Sequence, residues 1–401
     1  MTRPNNNVWL HRFACALALA TLFLVALGGV VTTKGVGMAV PDWPTTYGEH
    51  MFLFPPSQWM AGIFYEHSHR LWASLVGLLA AVFAIWTWAR GSTGLARWLG
   101  ITVMMAALAL MGMRTPMMFV AMACACVGVI GYAIFRAQRQ ADRLRWLGVM
   151  AFAAVIIQGV LGGLRVLLDE HGWGTEFGIF HATLAQLFFL LVCSLALITS
   201  KWWADANRDE LNFSPGLRLR RLLTLTTVLI LGQLLLGATM RHQHQGLAVP
   251  DFPLAHGKIW PATDAASVAG YNAQRLEMGG ENPITAFHIV VHMLHRLNGL
   301  VVLLAIIGCT VAVWKTTARG SALRQVAAVW CAVAFLQVTL GILSIWSQRK
   351  VDVTTAHVAV GALTFALGWM SVLVTRRLAA PVPASVSAPE SRTAAPQLKH
   401  A

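Results

Sequence analysis

Runs of about twenty apolar residues recur along this chain, separated by short polar connections. A helix of that length rises far enough to cross the ~30 Å hydrocarbon core of a bilayer. In hydrocarbon every backbone polar group needs an internal partner, which leaves helices or a closed barrel. Barrel strands alternate apolar and polar residues, and these runs do not. The spans read as 13–31, 64–88, 98–113, 117–135, 146–167, 177–198, 222–240, 284–313, 322–346 and 353–374. The run 98–113 is short, and Arg114-Thr115-Pro116 divides it from the next, so this pair forms two crossings or a shallow hairpin. Either preserves the orientation of everything downstream. Only 11% of residues are charged and 57% are hydrophobic, which excludes both a soluble enzyme surface and disorder over most of the length.

The net charge of +14 would suggest nucleic acid on a soluble protein, but here it sorts by side. The N-terminus, alternate connections and the tail carry 20 basic and 5 acidic residues; the remainder carries 10 and 11. That asymmetry is the positive-inside pattern, with both termini cytoplasmic and no nucleic-acid partner. The first span reads as an uncleaved signal anchor. Cys15, Cys124, Cys126, Cys193, Cys309 and Cys331 all fall in spans, so buried thiols are expected rather than disulfides. Cys124 and Cys126 lie ~200° apart on a helix and make a poor metal pair.

The two long outer connections reveal a repeat. Residues 37–48 read GMAVPDWPTTYG and residues 246–257 read GLAVPDFPLAHG, identical at seven of twelve positions. Each follows a Leu-Gly (Leu27-Gly28, Leu236-Gly237) and precedes a His-Arg-Leu (His69-Arg70-Leu71, His295-Arg296-Leu297). Q-x-x-L-G recurs at Gln158, Gln233 and Gln337, and the next span in each half opens with one histidine, His181 or His357. The expected fold is an all-α polytopic membrane protein of two tandem four-helix bundles, related by a parallel pseudo-two-fold repeat, with an inserted helix pair in the first half. The organisation is 1–200 for the N-terminal half with the insertion at 95–137, 201–221 for a cytoplasmic linker, 222–377 for the C-terminal half, and 378–401 for a Pro- and Ala-rich disordered tail.

Ionisable side chains inside spans are costly and mark function by default. His69 and His181 in the first half, and His295 and His357 in the second, recur at similar depth near the outer surface. Facing imidazoles within a four-helix bundle suit a haem iron between them. Zinc would want three or four ligands; copper stays open, although no Met or Cys accompanies the pairs. Glu66 shares a helical face with His69, and His292 replaces it in the second half. A carboxylate there can take protons or stabilise positive charge developing on a substrate, or else simply pair with an arginine. The exchange suggests one reactive site and one electron-transfer site. Arg70 and Arg296 are placed either to bind haem propionates or to snorkel to headgroups. His67 is expected at the interface, His288 in polar packing, and His50, His242, His244 and His256 in solvent. The Pro-Asp-aromatic-Pro segments read as stiff lids over each bundle.

Together the duplicated halves, the PDWP and PDFP loops, E-x-x-H-R at Glu66–Arg70, H-x-x-H-R at His292–Arg296, QGVLGG from Gln158, and the lone His181 and His357 resemble the heme A synthase family. The resemblance covers residues 10–376 apart from the insertion. It implies oxidation of the C8 methyl of heme O to the formyl of heme A by successive hydroxylations with oxygen from water, for cytochrome oxidase assembly. It implies heme b between His295 and His357, and substrate heme O at His69 and His181 with Glu66 beside them as the catalytic set. Implied partners are a heme O synthase that delivers substrate, membrane lipid, an unidentified electron acceptor and a homo-oligomeric copy; the implied location is a bacterial cytoplasmic membrane. Val40 stands where a cysteine often precedes Pro-Asp-Trp in that family, and the extra helix pair is unusual. The competing readings are a b-type cytochrome that only relays electrons, perhaps with quinol, and a repeat-built transporter, which the outward placement of the histidines disfavours.

Overall fold

A computed structural model describes residues 7–136, 143–205, 215–277 and 282–379. It is all-helical: among the described residues there are twelve helices, three short 3₁₀ turns and no strands. In chain order the helices are α1 (Val8–Thr33), α2 (Ala61–Gly91), α3 (Gly94–Leu108), α4 (Pro116–Arg136), α5 (Arg143–Leu167), α6 (Gly174–Ile198) and α7 (Lys201–Asp205). They continue with α8 (Leu217–His242), α9 (Ala265–Glu277), α10 (Ala286–Thr316), α11 (Ala322–Trp346) and α12 (Val351–Ala379).

Eight of these are long and apolar enough to cross a membrane, so this is a multi-pass membrane protein. The expectation of ten spans resolves to eight plus a shorter pair, α3 and α4. α3 has only 15 residues. Pro116 opens α4 and restrains Thr115 to extended backbone, so the two cannot fuse. Helix lengths repeat between the halves: α1 and α8 have 26 residues each, α2 and α10 have 31, and α5 and α11 have 25. α9 was not anticipated within the second outer connection. Its signal was Asp264, whose carboxylate accepts from the Ser267 N–H at 3.0 Å and caps the first turn. The linker between 206 and 214, the insertion's last residue 137, and the tail from 380 lie outside the described residues.

Packing closes two rings. α1, α2, α5 and α6 pack each on the next and α6 returns to α1; α8, α10, α11 and α12 do the same. The rings meet where α1 and α6 lie against α8 and α12, and α3 and α4 pack on the outside of α2 and α5. The shared core includes Leu17, Phe83, Leu195, Ile306, Trp330 and Phe365. Two indoles inside it are bonded, as hydrocarbon favours. The Trp330 indole donates to the Thr364 carbonyl at 2.8 Å, and Trp369 donates to Ser194 Oγ across the two rings at 2.8 Å. All six cysteines are free thiols. Cys124 departs from expectation, because it faces outward from α4 rather than into the core.

Candidate functional site

The four histidines occupy one geometric station. His69 projects from α2 and His181 from α6, opposite corners of the first ring; His295 and His357 come from α10 and α12, opposite corners of the second. The intervening helix in each case presents a glycine. A Cβ on Gly28 would sit 3.3 Å from His69, on Gly162 3.2 Å from His181, on Gly237 3.1 Å from His295, and on Gly341 3.0 Å from His357. Each imidazole thus lies flush on a neighbouring backbone that any side chain would crowd. These glycines are the last letters of the L-G and Q-x-x-L-G motifs, which gives those motifs a physical reason.

The glutamines orient the rings. His181 Nδ1 lies 3.1 Å from the Gln158 carbonyl, and His357 Nδ1 lies 3.1 Å from the Gln337 carbonyl. A carbonyl only accepts, so Nδ1 carries the proton and Nε2 is the unprotonated nitrogen that could ligate a metal; in His357 that nitrogen lies 3.5 Å from the Gln337 side-chain amide, which a metal would have to displace. The Gln233 amide donates to the His295 carbonyl at 2.9 Å, and the Gln158 amide to the His181 carbonyl at 3.1 Å. His295 Nδ1 is buried without a partner.

The loops over the two rings are copies down to single bonds. In the first, the Asp42 carboxylate accepts from the Tyr47 and Gly48 N–H groups at 2.7 and 2.8 Å; in the second, Asp251 accepts from His256 and Gly257 at 2.7 and 2.9 Å. Burial opposes the charge on both carboxylates, but these bonds outweigh it and hold each below the usual aspartate value. Tyr47 and His256 sit in the left-handed region, at φ 51° and 48°. Each is tied back, Tyr47 Oη to the Ala39 carbonyl at 2.6 Å and His256 Nε2 to the Ala248 carbonyl at 3.0 Å.

Arg70 donates to the carbonyls of Val40, Asp42 and Thr45 at 2.9, 2.7 and 3.0 Å. Arg296 donates to those of Val249, Asp251 and Leu254 at 3.0, 2.7 and 3.0 Å. Both guanidiniums therefore pin the loops down. The halves part at one residue. Glu66 accepts from Arg70 at 2.7 Å and from the Val40 N–H at 2.8 Å. His292 stands in its place, and its Nδ1 accepts from the Val249 N–H at 3.2 Å. Arg70 thus has a carboxylate partner inside its loop anchor, whereas the bonds of Arg296 there are all to carbonyls.

A cavity of about 290 Å³ fills the first ring. Glu66, His69, Arg70 and His181 line it. Trp43 of the first loop covers the cavity and leaves no room for a Cβ at Gly163.

Three ionisable lining residues were not read from the sequence as part of a site: Arg165, Arg241 and His242. Arg165 lies against Gly37, and Arg349 lies against the equivalent Gly246, so each loop rests on an arginine. Arg241 reaches over from the second ring, its Nη2 within 3.3–3.5 Å of the Gly28 and Gly29 carbonyls and its Nε unpartnered. An arginine ending an apolar run was the available signal. His242 was expected in solvent but is buried at the last position of α8 against Gly178, because that helix runs past its apolar stretch. His67 was expected at the interface and is instead fully buried. The first loop folds over it, with Thr46 Oγ1 at 3.2 Å and the Trp59 ring at 4.7 Å. His256 is stacked on Tyr271 at 3.8 Å rather than free in solvent. His288 is polar packing as expected, closing a capping box with Thr285.

The sequence matches the model of a family described as cytochrome oxidase assembly protein over residues 117–368. It is 22% identical to a heme A synthase of Geobacillus kaustophilus, covering 93% of this chain and 94% of that one. It is 24% identical to a heme A synthase of Alkalihalophilus pseudofirmus over 91% of this chain and 97% of that one. A heme A synthase of Cereibacter sphaeroides is 24% identical over 94% of this chain and 88% of its own.

Proposed function

The chain belongs to the cytochrome oxidase assembly protein family, and from that premise we propose that it is an oxidoreductase converting heme O to heme A. One observation carries the reading. Four histidines share one glycine-backed station, and in the first ring that station opens on a cavity edged by an ion-paired glutamate. We read the two rings as tandem four-helix bundles, residues 1–200 and 222–377, joined by a linker at 201–221. The charge asymmetry supports a bacterial cytoplasmic membrane with both termini inside.

Heme O is the substrate, held with its iron between His69 and His181. The reaction takes a methyl group and water to a formyl group, four protons and four electrons, in two hydroxylation stages. Loss of electrons leaves positive charge developing at the methyl carbon. Glu66, kept in place by Arg70 and the Val40 N–H, puts a fixed negative charge at the cavity edge where it stabilises that charge. Arg70 is taken up by three loop carbonyls and Glu66, whereas Arg241 makes only long contacts to the Gly28 and Gly29 carbonyls and keeps its Nε unpartnered, so Arg165 and Arg241 are the cations better placed for the substrate's two carboxylates. Trp43 and its loop limit water above the ring.

The second ring fits a resident heme b. His357 is held with Nε2 unprotonated, His295 faces it from the opposite corner, and Gly237 and Gly341 leave the rings flush. Bound between them, heme b would supply a one-electron carrier for electrons leaving the substrate toward an acceptor. His292 in place of Glu66 removes the carboxylate from that ring, which suits transfer without substrate chemistry. A heme O synthase as donor and a homo-oligomeric copy are further partners in this reading.

The test is haem extraction and chromatography from cells expressing the chain with a heme O source. The formyl-bearing product is expected. A bis-histidine haem spectrum without that product would instead identify an electron-relaying b-type cytochrome.

A further inference from the structure

The cavity in the first ring has two unlike ends. One holds Arg165, Arg241 and His242. The other is apolar and reaches beyond the four-helix ring: Phe152 and Ile156 of α5 line it together with Ala107 and Leu108 at the end of α3 and Phe119 of α4. The latter three belong to the inserted pair, which has no counterpart in the second half. The insertion is firmly seated, with Met104, Ala107, Ala123, Cys126 and Ile130 buried against Ala81, Ala84 and Phe152 of α2 and α5.

Small residues leave the way to it open. Gly77 of α2 and Gly159 of α5 both line the cavity. A Cβ on Gly77 would meet nothing within 4 Å, and one on Gly159 would meet only Phe119 Cζ at 4.0 Å. Phe119 in turn rests edge-on against Trp43 at 4.5 Å, so the insertion touches the loop that covers the histidines. Without α3 and α4, this side of the ring would face lipid.

Heme O is similarly two-ended, with carboxylates on one edge and a long isoprenoid chain on another. Carboxylates belong with the arginines, which turns the isoprenoid chain away from them. We propose that the inserted pair α3–α4 forms the subsite for the substrate's isoprenoid chain, with Ala107, Leu108 and Phe119 as its wall. The proposal rests on the reading of His69 and His181 as the substrate site. It makes the insertion a specificity element, which selects the isoprenoid-bearing haem over protohaem, the same ring without the chain.

The test is a spectral titration of the purified full chain, heme b in place, with heme O and with protohaem. The wild type should bind heme O at least about tenfold more tightly, the scale of a filled apolar slot. Ala107→Phe, which fills the slot, should bring that preference to within about twofold, leaving protohaem affinity and the heme b spectrum unchanged. Phe119→Ala, which loosens the wall and keeps α3 intact, should cut the preference several-fold. An undiminished preference in both variants, or none in the wild type, overturns the proposal. Equal loss of both ligands in the variants also overturns it, since that is a collapsed site or a slot that holds lipid. Failure of the functional reading looks different: no formyl product in cells, whatever the binding preference.

Discussion

The two halves of this molecule share a scaffold down to individual hydrogen bonds and differ in what they place on it. Val40 and Val249 offer equivalent N–H groups, and one meets a carboxylate, the other an imidazole. Asp42 and Asp251 hold their loops through the same pair of amides. The first ring adds an outer helix pair and a cavity of about 290 Å³, while in the second the Asn298 amide donates to Gln233 at 2.9 Å. The two halves thus share the parts that seat the imidazoles and differ in what surrounds them.

The sharpest way to break this contrast is to make the first half resemble the second. Glu66→His should lower heme A formation on the order of 100-fold or more, the scale of losing one aimed electrostatic group. The spectrum of the second-half haem should be unchanged. Output within a few-fold of wild type would show that the asymmetry at this position is not functional. Conversely, in protein purified without heme O, His357→Ala should abolish the bis-histidine spectrum assigned to the second ring, while titration with heme O should still produce one from the first ring.

A smaller effect should separate glycines by their surroundings. Gly341→Ala places a methyl 3.0 Å from His357 and should weaken haem retention in the second half about tenfold in a competition with apomyoglobin. Gly308→Ala, on the same half with nothing within 4 Å, should leave retention alone and raise stability by about 0.5–1 kcal/mol by thermal unfolding. Equal behaviour of the two would remove the glycine station from the argument.

The smallest effect concerns acid. Asp42 and Asp251 have folded-state values below the usual 3.8. Their contribution is present above that value and is lost as pH falls through the lower folded ones. Hydrogen exchange at the Tyr47, Gly48, His256 and Gly257 amides should therefore be protected at pH 5 and should rise together below the ordinary aspartate range. If only one loop responded, the two copies would not be equivalent.

Much of this was legible in the residues. Apolar length gave the eight long spans but overcounted the shorter pair α3 and α4, and the GxAVPDxP copies gave the two matching loops, because a twelve-residue loop with its own internal bonds leaves a strong imprint. The histidine stations were visible because ionisable groups stand out in apolar runs. Contacts set by tertiary closure were harder to read. His67 and His242 sit at helix ends, where burial depends on a loop or a neighbouring ring folding across. Arg70 and Arg296 read equally as anchors for propionates or headgroups, since three backbone carbonyls converging on one guanidinium leave no mark in the side-chain pattern. α9 was hidden because a helix of only 13 residues with polar positions interspersed has no span-like signature.

Arg241 lends this last point some weight. It leaves the second ring to touch the Gly28 and Gly29 carbonyls and to close the first cavity. The first half is therefore not a self-sufficient module. A chain cut between the two rings would have to reassemble before the first cavity regained its end wall.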